Sequence, residues 1–204
     1  MEKEGISMKL TLATVAALAG IASASPYITS GEHQSLDIEL DTAGVAVSTL
    51  TINLSGMESW DLFGDPDNTL LSFGLFGSAQ IIAIDWSLMI TAHGASWLSE
   101  VNINLSNTDK SGSFNLTPGS GNDAPGTGSF SSGGFVDLVG PGDDFALNAD
   151  GQLHVELYES FDDVDDAVDA TFGTASFIRV QYVPAPGALA VLGLGGFIST
   201  RRKR

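Results

Sequence analysis

The sequence contains no cysteine among its 204 residues. Disulfide scaffolds, Cys-ligated zinc or iron–sulfur centres and thiol nucleophiles are therefore excluded. Cations are nearly as scarce, eight Lys and Arg against 25 Asp and Glu, for a formal net charge of −17 and a pI near 4.1. Duplex binding requires cations to neutralise phosphates, so nucleic acid is excluded as a partner. Two catalytic patterns are also missing. His33, His93 and His154 form no HExxH or HxH pair, and no serine lies in a GxSxG elbow, so neither a zinc hydrolase nor an α/β-hydrolase is supported and the expectation is a non-enzymatic protein. Yet 43% of the residues are hydrophobic and the mean hydropathy is +0.18. In so acidic a chain the apolar residues must be concentrated somewhere.

They are concentrated at the two ends. Met8 and Lys9 precede an apolar run from Leu10 to Ile21, followed by Ala22, Ser23 and Ala24 before Ser25 and Pro26. A charged start, an apolar core and a small-x-small site have the layout of a secretory signal peptide, with signal peptidase cutting after Ala24, so residues 1–24 are read as a removable leader helix. Glu2 and Glu4 are atypical of such a leader and favour Met8 as the start. At the other end, Gly187 to Ile198 is apolar and uncharged and leads through Ser199 and Thr200 into Arg201, Arg202, Lys203 and Arg204. That order obeys the positive-inside rule for a C-terminal membrane helix. The helix is short. From Val183 to Thr200 it has about 27 Å to span a hydrocarbon core of roughly 30 Å, and it holds Gly187, Gly193, Gly195 and Gly196. Such a segment suits temporary retention at the membrane better than a permanent anchor.

Val183, Pro184, Ala185 and Pro186, the apolar Gly/Ala/Leu stretch and the terminal basic cluster together resemble the PEP-CTERM sorting signal of bacterial exported proteins. The resemblance implies recognition of residues 183–204 by an exosortase, a membrane-embedded protease or transpeptidase, and delivery of the preceding domain to the cell surface or extracellular matrix. Ala185 stands where that family usually has Glu. The physics of the motif is clear: proline lacks an N–H and disfavours helix in the residue before it, which keeps Val183 and Ala185 extended for a protease.

Between the ends, residues 25–186 hold two basic residues, Lys110 and Arg179, and 23 acidic ones, a net of −21. Period-two alternation dominates this span. It runs over Leu36–Leu40, over Val45–Leu54 with an expected bulge at Ser48 and Thr49, and over Leu70–Phe76, Ala79–Ile90, Trp97–Leu105, Phe135–Val139, Leu153–Glu159 and Ala175–Val183. These short runs are rich in β-branched residues and broken by Gly, Asn, Asp and Pro clusters, which predicts an all-β antiparallel sandwich over residues 25–182. Ile81–Ile90, apolar except at Asp85 and Ser87, is expected to be a central strand covered on both faces. The Gly/Ser-rich stretch after Asn107 predicts one short strand at Phe114 and a long mobile loop from Pro118 to Gly128. A helical turn is expected only around Val164–Ala170. Asn148–Tyr182, read as a closing hairpin with an acidic loop, resembles the end of the jelly-roll P domain found beside subtilisin-like convertases, with Phe172 where that family often has Trp. This second resemblance implies a jelly-roll-like sandwich.

Candidate ligands follow from oxygen and aromatic clusters. Asp162, Asp163, Asp165, Asp166 and Asp169 crowd one loop without EF-hand spacing. No cofactor is required, and the ordinary reading is a solvated loop, but a hard cation such as calcium is the ligand this loop could hold. Asp65, Asp67 and Asn68, Asp143 and Asp144, and Asn148 with Asp150 are further oxygen-rich turns. Trp60 and Trp97 could stack on a sugar, or fill the core as Trp86 is expected to do. His154 reads as a surface strand residue and His93 as a loop residue. The combined expectation is an exported surface or matrix protein of structural or adhesive role. Extracellular polysaccharide is its expected partner, and a carbohydrate-binding or calcium-binding module is the alternative.

Overall fold

The computed structural model describes residues 34–40, 46–163 and 167–185. The expected leader with Ala22 and Ala24, and Pro186, the apolar tail and Arg201, Arg202, Lys203 and Arg204, lie outside the described residues, as do His33, Asp165 and Asp166. Among the described residues there are thirteen strands and no helix. They form two antiparallel sheets. The smaller contains β4 (Thr69–Gly74), β11 (Gln152–Glu159), β6 (Val101–Ser106) and β7 (Ser113–Leu116), adjacent in that order.

The larger sheet is organised on β5 (Gln80–Ala92), 13 residues long and paired along both edges. On one edge lie β13 (Phe177–Val183) and, further along, β12 (Ala170–Phe172). On the other lie β10 (Phe145–Ala146), β9 (Val136–Asp137) and β8 (Gly126–Ser131). Beyond β13 follow β2 (Ala46–Asn53) and β1 (Gln34–Leu40), and β3 (Glu58–Ser59) pairs with β12.

Alternation explains the sandwich-like packing. Leu50 and Ile52 on β2, Ile178, Val180 and Tyr182 on β13, and Ile84, Leu88 and Ile90 on β5 form one buried cluster. Leu71 and Phe73 on β4, Val101, Ile103 and Leu105 on β6, and Leu153, Val155 and Leu157 on β11 belong to the same cluster. Each such side chain contributes about 1.5–3 kcal/mol on burial.

Several expectations change in detail. Ser48 and Thr49 pair without a break against both β1 and β13, so β2 has no bulge there, and Ser48 instead faces inward in phase with Leu50. The bulge is on β5, where Gln181 pairs with Ala83 and Tyr182 with Ile81, leaving Ile82 over. That extra residue resets the phase and makes the run look apolar on both faces. In fact β5 is central by its paired edges, while its outer face is partly open at Met89. The last three residues of the expected mobile loop, 126–128, open strand β8, which is paired residue for residue with Ser87–Ala92. Residues 167–169 are not helical, and Ala170 already begins β12. Asn148–Tyr182 is not a hairpin, because β11 and β13 belong to different sheets. Trp97 precedes β6 in a turn instead of beginning the strand.

Candidate metal centre

Backbone hydrogen bonds gather four acidic residues at one end of the two sheets. Glu159, the last residue of β11, pairs with Val101, and its N–H donates to Asp61 O at 2.9 Å. Asp169, just before β12, donates its N–H to Ser59 O at 3.0 Å and accepts from His93 N–H at 2.7 Å. Glu100 O accepts from Ser160 N–H at 2.8 Å. Each carboxylate is therefore fixed by a strand end or a tight turn.

The turn carrying Glu100 closes on itself, with Trp97 N–H donating to Glu100 Oε2 at 2.7 Å and Glu100 N–H to Trp97 O at 3.0 Å. The Gly/Ser-rich segment braces it, Leu98 N–H donating to Ala124 O and Ser99 N–H to Asn122 O. Gly119 makes the approach possible, since a Cβ there would lie 2.1 Å from Leu98 O.

Each deeply buried carboxylate has one oxygen satisfied and one bare. Ser59 Oγ donates to Glu159 Oε1, and Ser96 Oγ donates to Asp169 Oδ1 at 2.6 Å. Glu159 is 0% exposed and Asp169 2%. Among the described residues no donor reaches Glu159 Oε2, Asp169 Oδ2 or the buried Asp163 Oδ2. Burial pushes Glu159 from 4.5 up to about 8, and repulsion by Asp169, Glu100 and Asp163 adds to it against the Ser59 hydrogen bond. Asp169 is raised by burial and by Asp162 and Asp163, despite Ser96. Glu100 is also raised, first by burial and then by Asp163 and Asp169, against the hydrogen bond from Trp97. Leaving such groups bare and ionised is costly, and the physical remedies are protonation or a cation.

A second acidic group lies beside the first. One carboxylate oxygen each from Asp61, Asp65 and Asp67 fall within 4.8 Å of one another. Asp61 links the two groups: burial raises it, with Asp65, Asp162, Asp67 and Asp169 adding repulsion. Asp67 is exposed and Asp65 half-exposed, Asp65 Oδ1 accepts from Asp67 N–H at 3.0 Å, and Asn68 Oδ1 accepts from Asp61 N–H at 2.9 Å. These bonds shape a turn.

Of the five loop aspartates expected to hold calcium, Asp162, Asp163 and Asp169 are described, and Asp163 and Asp169 belong to this pocket. Asp61, Glu100 and Glu159, with Ser59 and Ser96 behind them, lie outside the loop reading. Glu159 had a legible signal: it continues the inward phase of Leu153, Val155 and Leu157, where an acid is out of place. The other oxygen-rich turns serve their own loops. Gln80 Nε2 donates to Asp144 Oδ2 at 2.7 Å, and Thr108 Oγ1 to Asp150 Oδ2 at 2.6 Å.

The aromatic and histidine candidates separate. Trp97 is 43% exposed, Trp60 is half-buried, and Trp86 packs partly buried against the core. His93 Nε2 lies 2.9 Å from Thr171 Oγ1 at the rim of the acidic pocket. His154 is half-buried, held in its less charged form by burial, and 3.5 Å from Thr108 Oγ1. The two histidines are placed at different sites. Val183 ends β13 opposite Gln80, and Pro184 is buried.

No protein-family model matches this chain, and no curated protein matches it.

Proposed function

We propose that the chain is an exported, non-enzymatic structural or adhesive protein, delivered to the cell surface or extracellular matrix through its C-terminal PEP-CTERM-like signal. In this reading signal peptidase removes residues 1–24, the apolar tail holds the protein at the membrane, and an exosortase acts on the VPAP motif. The single observation carrying it is the position of the last strand relative to the motif. The last strand described runs to Val183, the first residue of the VPAP motif, and Pro184 after it is buried. The jelly-roll-like sandwich belongs to the same proposal. It is supported by a chain that changes sheet at β3/β4, β4/β5, β5/β6, β7/β8, β10/β11 and β11/β12.

Charge supports the matrix role. Both cations of the body are internally engaged, Lys110 with Glu156 and Phe63, Arg179 with Asp85. The remaining surface is polyanionic and repels anionic polysaccharide unless cations bridge the two. Intact mass of the protein recovered from the native extracellular fraction tests the reading. It should lack residues 1–24 and everything from about Pro186, whereas a full C-terminus in the membrane fraction contradicts sorting and favours a plain anchor.

One observation favours a second reading, a carbohydrate-binding module: Trp97 is exposed beside a carboxylate-rich pocket. A glycan array probed with wild type and Trp97→Ala separates it from a passive matrix protein, since a defined ligand lost on substitution is expected only of a binding module.

A further inference from the structure

We propose that the pocket formed by Glu159, Asp169, Asp163 and Glu100 is a calcium site that ties the ends of β11 and β12 to the turn carrying Trp97. The inference stands apart from export and sorting, and concerns the folded body alone.

Three observations carry it together. First, the carboxylates come from separate parts of the chain, Glu100 from the turn before β6, Glu159 from the end of β11, Asp163 from the following loop and Asp169 from the entry to β12. The sheets bring these segments together, through Ser160 N–H to Glu100 O, Asp169 N–H to Ser59 O and the pairing of Glu159 with Val101, and local acidic composition does not. Second, the two most buried side chains are half-satisfied in the same way. Ser59 holds one oxygen of Glu159 and Ser96 one oxygen of Asp169, while the second oxygen of each is buried with no donor among the described residues. Donors that orient one carboxylate oxygen and leave its twin bare are what supports a metal ligand from behind. Third, no Lys or Arg among the described residues fills the gap, because Lys110 and Arg179 are engaged elsewhere.

The donor set selects the metal. All the bare atoms are carboxylate oxygens, with no sulfur and no imidazole among them, which suits a hard cation over zinc or copper. Several carboxylates around one ion favour calcium over magnesium, which keeps its waters and is held by one or two carboxylates. The neighbouring Asp61, Asp65 and Asp67 group has exposed members and internal turn hydrogen bonds, and it serves as the rim.

The test uses the purified full chain. Isothermal titration with calcium chloride should show one ion per chain, and terbium should give saturable luminescence sensitised by Trp60 and Trp97, displaced by calcium. Glu159→Gln should weaken calcium by more than the tenfold to about 100-fold typical of losing a supporting group. It should still unfold cooperatively in EGTA, and at pH 9 at a denaturant midpoint no lower than wild type, because the amide keeps the Ser59 contact and removes a charge buried there at that pH. Asp169→Asn is the second variant if Glu159→Gln does not fold. Asp65→Asn with Asp67→Asn should keep wild-type affinity within about threefold, as rim charges act only through screened solvent. A wild-type chain that takes up no calcium overturns the proposal whatever the variants do, and so does affinity lost in the Asp65/Asp67 variant but kept in Glu159→Gln.

Discussion

Two buried carboxylates of this protein have opposite surroundings. Asp85, on the outer face of β5, sits across the ladder from Arg179 on β13, accepts hydrogen bonds from the guanidinium and from Ser132 Oγ, and forms an ion pair with Arg179. Phe135 and Phe177 flank that guanidinium with their rings at 5.1 and 5.6 Å. Burial alone would raise Asp85, but the bonds from Ser132 and Arg179 outweigh it and the carboxyl is held below its ordinary range. Glu159 is equally hidden, yet has one serine, three acidic neighbours and no cation, and is pushed up to about 8. Among the described residues, then, a counterion stands at one site and not at the other. In a body with two cations, a matched carboxylate is part of the scaffold, whereas an unmatched one calls for a partner from solution.

The largest expected contrast is in pH response without calcium. A carboxyl raised on folding binds its proton more tightly in the native state, so native stability falls as pH rises from the unfolded value of 4.5 to about 8. Through this one group the loss is on the order of 5 kcal/mol, shared with the like-charged Asp169, Glu100 and Asp163 and eased at Asp169 by His93. Urea unfolding in EGTA across that range should show the decline, and Glu159→Gln should flatten it. Asp85 responds with the opposite sign. Its lowered value gives stability that is present above 3.8 and lost as pH falls through the native value, a loss that Glu159→Gln should leave untouched.

Next in size is removal of the matched cation. Arg179→Leu strands Asp85 in the sheet and should cost about 2–4 kcal/mol, somewhat under a fully buried pair because Arg179 is partly exposed. Asp85→Leu with Arg179→Leu should recover most of that in the same denaturation assay. Smallest is the second cation. Lys110 is mostly exposed, 3.8 Å from Glu156 and 4.3 Å from the Phe63 ring centre. Lys110→Gln should cost about 0.5–1 kcal/mol by chemical denaturation, with most of it gone at high salt. A Lys110 loss as large as that at Arg179 would break the comparison.

The paired strands were the readable part of the fold, because one buried face imposes alternation. Leu153, Val155 and Leu157 or Val101, Ile103 and Leu105 can be read directly, and β11 and β6 follow. Strands of two or three residues, such as β3, β9, β10 and β12, are too short for a period, and β8, GTGSFS, has a composition typical of a loop. Its pairing is imposed by the free edge of β5. The phase change at Ile82 was hidden for a related reason, since Ile81 and Ile82 are chemically alike and only the register with β13 distinguishes them. The acidic site was half-readable. The Asp162–Asp169 cluster advertised itself by density, but Glu100 lies 59 positions before Glu159, and only the sheets bring the two together. Glu159 itself broke the alternation of its strand, a sharper signal than the whole acidic loop.

A crystal structure grown in millimolar calcium, with an anomalous difference map, tests the central claim most directly. One calcium is expected, bonded to Glu159 Oε2 and Asp169 Oδ2 at about 2.3–2.6 Å. Ser59 and Ser96 should still hold the other oxygen of each. A pocket filled by water alone, or by carboxyls sharing protons with one another in saturating calcium, would contradict it.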